Sequence, residues 1–169
     1  MVTSAVVIVC LSCFLTLVPP AEADCLAGWM HFNDSCYSFV AKQVAWNEAQ
    51  HACYIKGGSL VIINSQEEDD FLHRHLQQER RYFYGYDFWV GGKEIPGTDF
   101  WEWVDGTLFS QTFTAWATGR PVTGGRAKCL EFEADMNSEW NDDYCDDLDF
   151  YICERAFEFL TPSPPPIVG

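Results

Sequence analysis

The sequence predicts an α+β domain, with two helices early, several short strands later, a long irregular region and disulfides tying them together. Three observations carry that prediction. Six cysteines lie beyond the leader: Cys25, Cys36, Cys53, Cys129, Cys145 and Cys153. Two stretches with helical spacing precede Arg80-Arg81. After that pair, short apolar runs alternate with Gly, Thr, Asp and many aromatics.

Residues 1–23 read as a secretory leader. Ala5 to Val18 is apolar, Pro19-Pro20 breaks it, and Ala21-Glu22-Ala23 is a small-x-small cleavage site before Asp24. The leader has no Lys or Arg at its start, so a retained anchor is the rival reading. Removing it takes Cys10 and Cys13 with it. An even set of six cysteines in a secreted chain implies three disulfides and an oxidising compartment, with 15 pairings open to them. No later segment is long and apolar enough to span a membrane.

The domain itself is expected over 24–156. Cys25 to Tyr37 reads as a disulfide-bound opening hairpin, and Asn33-Asp34-Ser35 is a glycosylation sequon that places Asn33 at the surface. Val44 to Tyr54 suits a helix, with Trp46, Ala49, Ala52 and Cys53 on one side and Gly57-Gly58 as its stop. Leu60 to Ile63 reads as a buried strand. Ser65-Gln66-Glu67-Glu68 is a capping box with acids where the helix dipole favours them, and Leu72 and Leu76 mark the buried side of the second helix. His73 and His75, two apart, read as surface histidines.

Phe88 to Gly92 is a core strand, and Cys129 to Glu133 and Phe150 to Cys153 are two more. Trp101, Trp103, Phe109, Phe113 and Trp116 read as core rather than as a ligand platform. Residues 157–169, with Thr161-Pro162-Ser163-Pro164-Pro165-Pro166, read as a disordered tail.

The chain of 169 residues has a formal charge of −15, with 25 Asp and Glu against 10 Lys and Arg. Nucleic acid is excluded as a natural partner, because phosphate affinity needs clustered cations. Glu131, Glu133, Asp135, Glu139, Asp142, Asp143, Asp146, Asp147 and Asp149 fall in one stretch without Lys or Arg. That stretch is either a solvated face or a surface for cations, mineral or a basic partner. No Gly-x-Ser-x-Gly elbow or His-Glu-x-x-His helix occurs, so the chain does not read as an enzyme.

Taken in order, Gly28-Trp29, Cys36-Tyr37, Trp46 with Ala49 and Cys53, Leu60 with Asn64-Ser65-Gln66-Glu67-Glu68, Phe88-Trp89-Val90-Gly91-Gly92, Cys129, Trp140-Asn141-Asp142, Cys145 and Ile152-Cys153-Glu154 resemble the C-type lectin-like domain. The resemblance covers nearly the whole mature chain. It implies two helices packed on short antiparallel sheets, the pairings Cys25–Cys36, Cys53–Cys153 and Cys129–Cys145, and the long form of the domain. A single secreted domain with a tail is similar to invertebrate lectins, including perlucin-like proteins of mollusc shell.

In sugar-binding members of that family, a calcium ion sits between a long loop and the Trp-Asn-Asp strand. The loop matches Gly119-Arg120-Pro121-Val122 followed by Ala127-Lys128-Cys129. Asn141 and Asp142 match the ligand set. Arg120, Val122 and Ala127 stand where oxygen ligands are needed, and a guanidinium is always charged. The resemblance therefore implies a degenerate site, with a cis Pro121 carried over as structure and an Arg120–Asp142 salt bridge in the metal position.

Arg120, Pro121, Val122, Thr123, Arg126 and Lys128 make up the expected ligand loop, whose cations suit sulfated or acidic sugars without calcium. Glu131, Glu133, Asp143, Asp146 and Asp147 make up the expected acidic surface, with millimolar calcium affinity at best. The function expected is an extracellular binding module for a glycan or protein. The alternative is an acidic matrix protein associated with calcium mineral.

Overall fold

The computed structural model describes residues 25–83, 85–122, 126, 128–134 and 139–157. The leader, residues 158–169, Thr123, Ala127 and Asp135 lie outside these. Eleven helices and strands are named here in chain order: β1 Met30–Phe32, β2 Ser35–Val44, α1 Trp46–Tyr54, β3 Ser59–Leu60, α2 Gln66–Gln78, α3 Arg80–Phe83, β4 Phe88–Glu94, β5 Trp101–Trp103, β6 Lys128–Glu133, β7 Glu139–Tyr144 and β8 Asp149–Ala156.

The main sheet runs β1-β2-β8-β4-β6-β7, with β3 added to β8 and β5 to β4. All named pairs are antiparallel except β4 with β8, where Phe88 lies beside Phe150. Alternation along the strands sorts side chains onto two faces. Phe88, Val90, Leu130, Phe132, Phe150 and Ile152 join one core with Leu72, Leu76, Trp103 and Trp140. Trp89, Cys129, Tyr151 and Cys153 join the other with Trp46, Ala49 and Leu60. Both faces are buried, so the strands read as continuous apolar runs rather than as half-polar ones.

α1 starts at Trp46, two residues later than expected, because Val44 is still paired with Asp149 in β2–β8. The buried indoles find acceptors: Trp46 Nε1 donates to Val90 O at 2.8 Å and Trp89 Nε1 to Val44 O at 3.0 Å. Gly58 ends the helix region where no side chain fits, since a Cβ there would stand 2.2 Å from Glu154 O. β3 is only two residues long, although Val61 and Ile63 beyond it are fully buried.

Ser65 caps α2 by accepting from Glu68 N at 3.2 Å. Its expected partner does not return the bond to Ser65. Glu68 instead accepts from Asn64 N at 2.8 Å and from Tyr37 Oη at 2.7 Å, so this acid ties α2 to β2. His73 and His75 are half-buried rather than at the surface: His73 Nδ1 lies 3.2 Å from Asp69 Oδ2, and the His75 ring packs on Phe39. Desolvation lowers the His75 pKa.

The disulfides are Cys25–Cys36, Cys53–Cys153 and Cys129–Cys145. Asn33 sits exposed in the β1–β2 turn at φ 49°. Phe157, which the sequence places at the start of the tail, contacts the β1–β2 turn: its N donates to Asp34 O at 2.7 Å and its ring lies 4.2 Å from His31.

Candidate functional site

The loop after Trp116 meets β7 at its buried carboxylate. Ala117 N bonds Trp140 O at 2.9 Å, which lays the start of the loop along β7. Trp140 is anchored in turn by donating to Asp69 Oδ1 at 2.7 Å. The Arg120–Pro121 peptide is cis. Beyond it, Val122 N donates to Asp142 Oδ1 at 2.9 Å, while the Val122 side chain faces outward.

Asp142 is the centre of this region, and its side chain has no exposure at all. Arg120 Nη1 stands 3.4 Å from Oδ1, in the pairing the sequence suggests. A second cation, which sequence reasoning did not assign to this role, comes from β6: Lys128 Nζ lies 3.1 Å from Oδ2. That contact is an ion pair off the direction of a hydrogen bond, and Oδ2 accepts none among the described residues. Lys128 is 8% exposed, which corrects its place as a cation free for ligands.

Glu94, at the end of β4, is the next acid. Partial burial raises its pKa, Asp99 and Asp142 raise it further, and Lys128 opposes them. Two cations, Arg120 and Lys128, thus stand with Asp142, and Lys128 also offsets part of the negative field at Glu94. Arg126 is exposed but also committed, paired with Asp146 and lying 4.2 Å over the Tyr144 ring. Lys128 approaches the same ring at 4.4 Å.

The acidic surface needs a larger correction. Glu131 is 1% exposed and belongs to the interior. Its position follows from alternation: Leu130 and Phe132 enter one core, so Glu131 shares the other face with Cys129, and that face is covered too. Asn141 Nδ2 donates to Glu131 Oε1 at 2.8 Å. Asn141 therefore bonds a buried acid, and its own Oδ1 accepts nothing among the described residues. Burial, reinforced by Asp87, pushes Glu131 up to about 9. Of the remaining four, Glu133 and Asp143 are half-buried, and only Asp146 and Asp147 are exposed.

Residues 42–155 match the lectin C-type domain family, and the chain belongs to it. Its members are, in general, binding modules rather than enzymes. The chain is 32% identical over 137 residues to mouse asialoglycoprotein receptor 2, covering 78% of this chain and 42% of that protein. It therefore spans less than half the length of that relative. Among solved structures, SPL-1 in complex with GlcNAc superposes with TM-score 0.70 at 27% identity, covering 80% of this chain and 97% of the other. A calcium-independent type II antifreeze protein superposes with TM-score 0.66 at 26% identity, covering 79% and 95%.

Proposed function

We propose that this domain is an extracellular binding module that recognises carbohydrate, or another surface ligand, without a calcium bridge in the loop after Pro121. The observation that carries the reading is the filled surrounding of Asp142. Calcium needs six to eight oxygens, and the residues present do not fit it. Arg120 and Val122 supply no side-chain oxygen, and Arg120 and Lys128 hold the carboxylate from both sides. A divalent ion entering here would have to displace two ion pairs.

The carbohydrate reading draws on relatives such as SPL-1, seen with GlcNAc, and the calcium-free reading on the antifreeze protein that is calcium-independent. Three disulfides, the sequon at Asn33 and the leader support an extracellular place, with the chain secreted. The sulfated-sugar variant of the reading loses support, because Arg120, Arg126 and Lys128 are each paired with an acid of the same chain. The matrix reading loses support as well, since Glu131 is buried and Asp146 is paired.

The test is retention of the protein on a panel of immobilised glycans, in calcium and after chelation, well below the melting temperature of the chelated form. Equal retention in both buffers is expected. Elution by chelator that is reproduced by Asp142→Asn would sink the reading, because the loop would then be holding a metal.

A further inference from the structure

A second carboxylate centre lies away from the loop, on the other face of the sheet. Asp87 directly precedes β4, Glu131 lies in β6, and Asp149 opens β8. The strand pairing brings them together. β4 sets Trp89 opposite Glu131, and its parallel register with β8 sets Phe88 beside Phe150, with Phe150 N bonded to Asp87 O at 3.1 Å. One carboxylate oxygen from each of the three lies within 4.8 Å of the others.

Glu131 is not satisfied from within the centre. Glu131 Oε1 takes the Asn141 amide, but Oε2 is buried and accepts no hydrogen bond among the described residues. Glu131 and Asp149 have no Lys, Arg or His partner among those residues. Asp87 Oδ1 accepts from Ala134 N at 2.7 Å, a bond that orients it. The neighbouring strand and turn add more acid: Asp143 faces both Glu131 and Asp149, and Asp147 adds to Asp149. A buried carboxylate without a counter-charge takes up either a proton or a cation.

We propose that Asp87, Glu131 and Asp149 bind one hard divalent cation, of which calcium is the fitting choice, in a site separate from the sugar-type loop. Three carboxylates, one just before β4 and one each from β6 and β8, supply a charge a divalent ion can balance and an oxygen set it prefers, with water completing the shell. Magnesium, which keeps most of its water and takes one or two carboxylates, fits the donor set less well. The unpartnered Glu131 Oε2 gains the partner it lacks. Burial first, then Asp87, pushes Asp149 up to about 7, and this is a cost that a bound ion relieves. An ion here would lock the starts of β4 and β8 to the middle of β6.

The experiment is calorimetric titration of calcium at pH 8 into chelator-stripped protein, for wild type, Glu131→Gln, Asp149→Asn and Asp142→Asn. The thermal melt of each is read with and without calcium. One site is expected in wild type, weakened more than about tenfold in Glu131→Gln and Asp149→Asn, and kept in Asp142→Asn. Calcium should raise the wild-type melting temperature and leave that of Glu131→Gln unmoved. The melts also show that each variant is folded. Two outcomes overturn the proposal. Wild type that shows neither heat nor a thermal shift up to millimolar calcium holds protons at this centre instead. A site abolished by Asp142→Asn and retained in Glu131→Gln puts the ion in the loop.

Discussion

Asp142 and Glu131 are acids of nearly equal burial on neighbouring strands, and they are accommodated in opposite ways. Asp142 is met by Arg120 from the loop, Lys128 from β6 and the Val122 N–H. Glu131 is met by one amide and by the like charges of Asp87, Asp149 and Asp143. Burying a charge is tolerable when a partner arrives with it. The first centre brings its own cations in the sequence. Glu131, in the second, has no Lys, Arg or His partner among the described residues, and a proton or an ion from solution takes that place.

The comparison is broken most forcefully by taking a cation from the first centre. Lys128→Met leaves a fully buried carboxylate with half its compensation. It should cost about 3–5 kcal/mol in urea denaturation, the range for breaking a buried pair. A cost near zero would mean that Asp142 is held by Arg120 and backbone alone.

The second centre responds to pH instead. Folded Glu131 keeps its proton to about pH 9, against 4.5 as its ordinary value. Between those values the folded chain binds the extra proton, so metal-free stability falls as pH rises through the window. From pH 4.5 to 7 the loss assigned to Glu131 is about 3 kcal/mol, since each unit is worth about 1.4 kcal/mol. Asp149, raised from 3.8 to about 7, acts in the same direction over a lower window. Stability of Glu131→Gln, followed by urea melts across pH, should be flatter than wild type. A parallel pair of curves would mean that the folded protein does not retain this proton.

The smallest effects separate the two loop arginines. Arg120→Ala removes a contact that is three-quarters buried and should cost about 1 kcal/mol. Arg126→Ala removes an exposed pair and should fall within about 0.5 kcal/mol of wild type. Equal costs would show that Arg120 contributes no more than a surface charge does.

The fold was largely legible because its signals are local. Cysteine count, helical spacing at Trp46 to Cys53, the Ser65 cap and the apolar strands each register within a few residues. The pairing of the cysteines came from the family resemblance and not from spacing. The site was legible only where one residue replaces another at a known position, as with Arg120 facing Asp142. Lys128 and Glu131 were misplaced for a common reason. Both lie in β6, Lys128 where the expected loop gives way to the strand and Glu131 within the acidic run, and both faces of that strand are covered. Asp87 drew no attention because its significance depends on β4 and β8 running parallel, a pairing between residues about 60 positions apart. The alternation in Cys129-Leu130-Glu131-Phe132 was the one usable clue. A disulfide-bonded cysteine two residues before Glu131 marks that face as buried.

The contact of Phe157 with the β1–β2 turn has a mechanical consequence. Ser35 pairs with Ala156 and Phe157 N reaches Asp34 O, so the chain enters and leaves the domain side by side. In the order β1-β2-β8-β4-β6-β7, this doorway is at one margin of the sheet, while Asp142 is on β7 at the other. A pull applied through both ends would load the β2–β8 ladder and the bond at Asp34, and would leave the loop around Arg120 unstressed. Whatever is attached before residue 25 or after Phe157, whether a stalk, a tether or another domain, leaves from the margin of the sheet opposite Asp142 and the Arg120 loop.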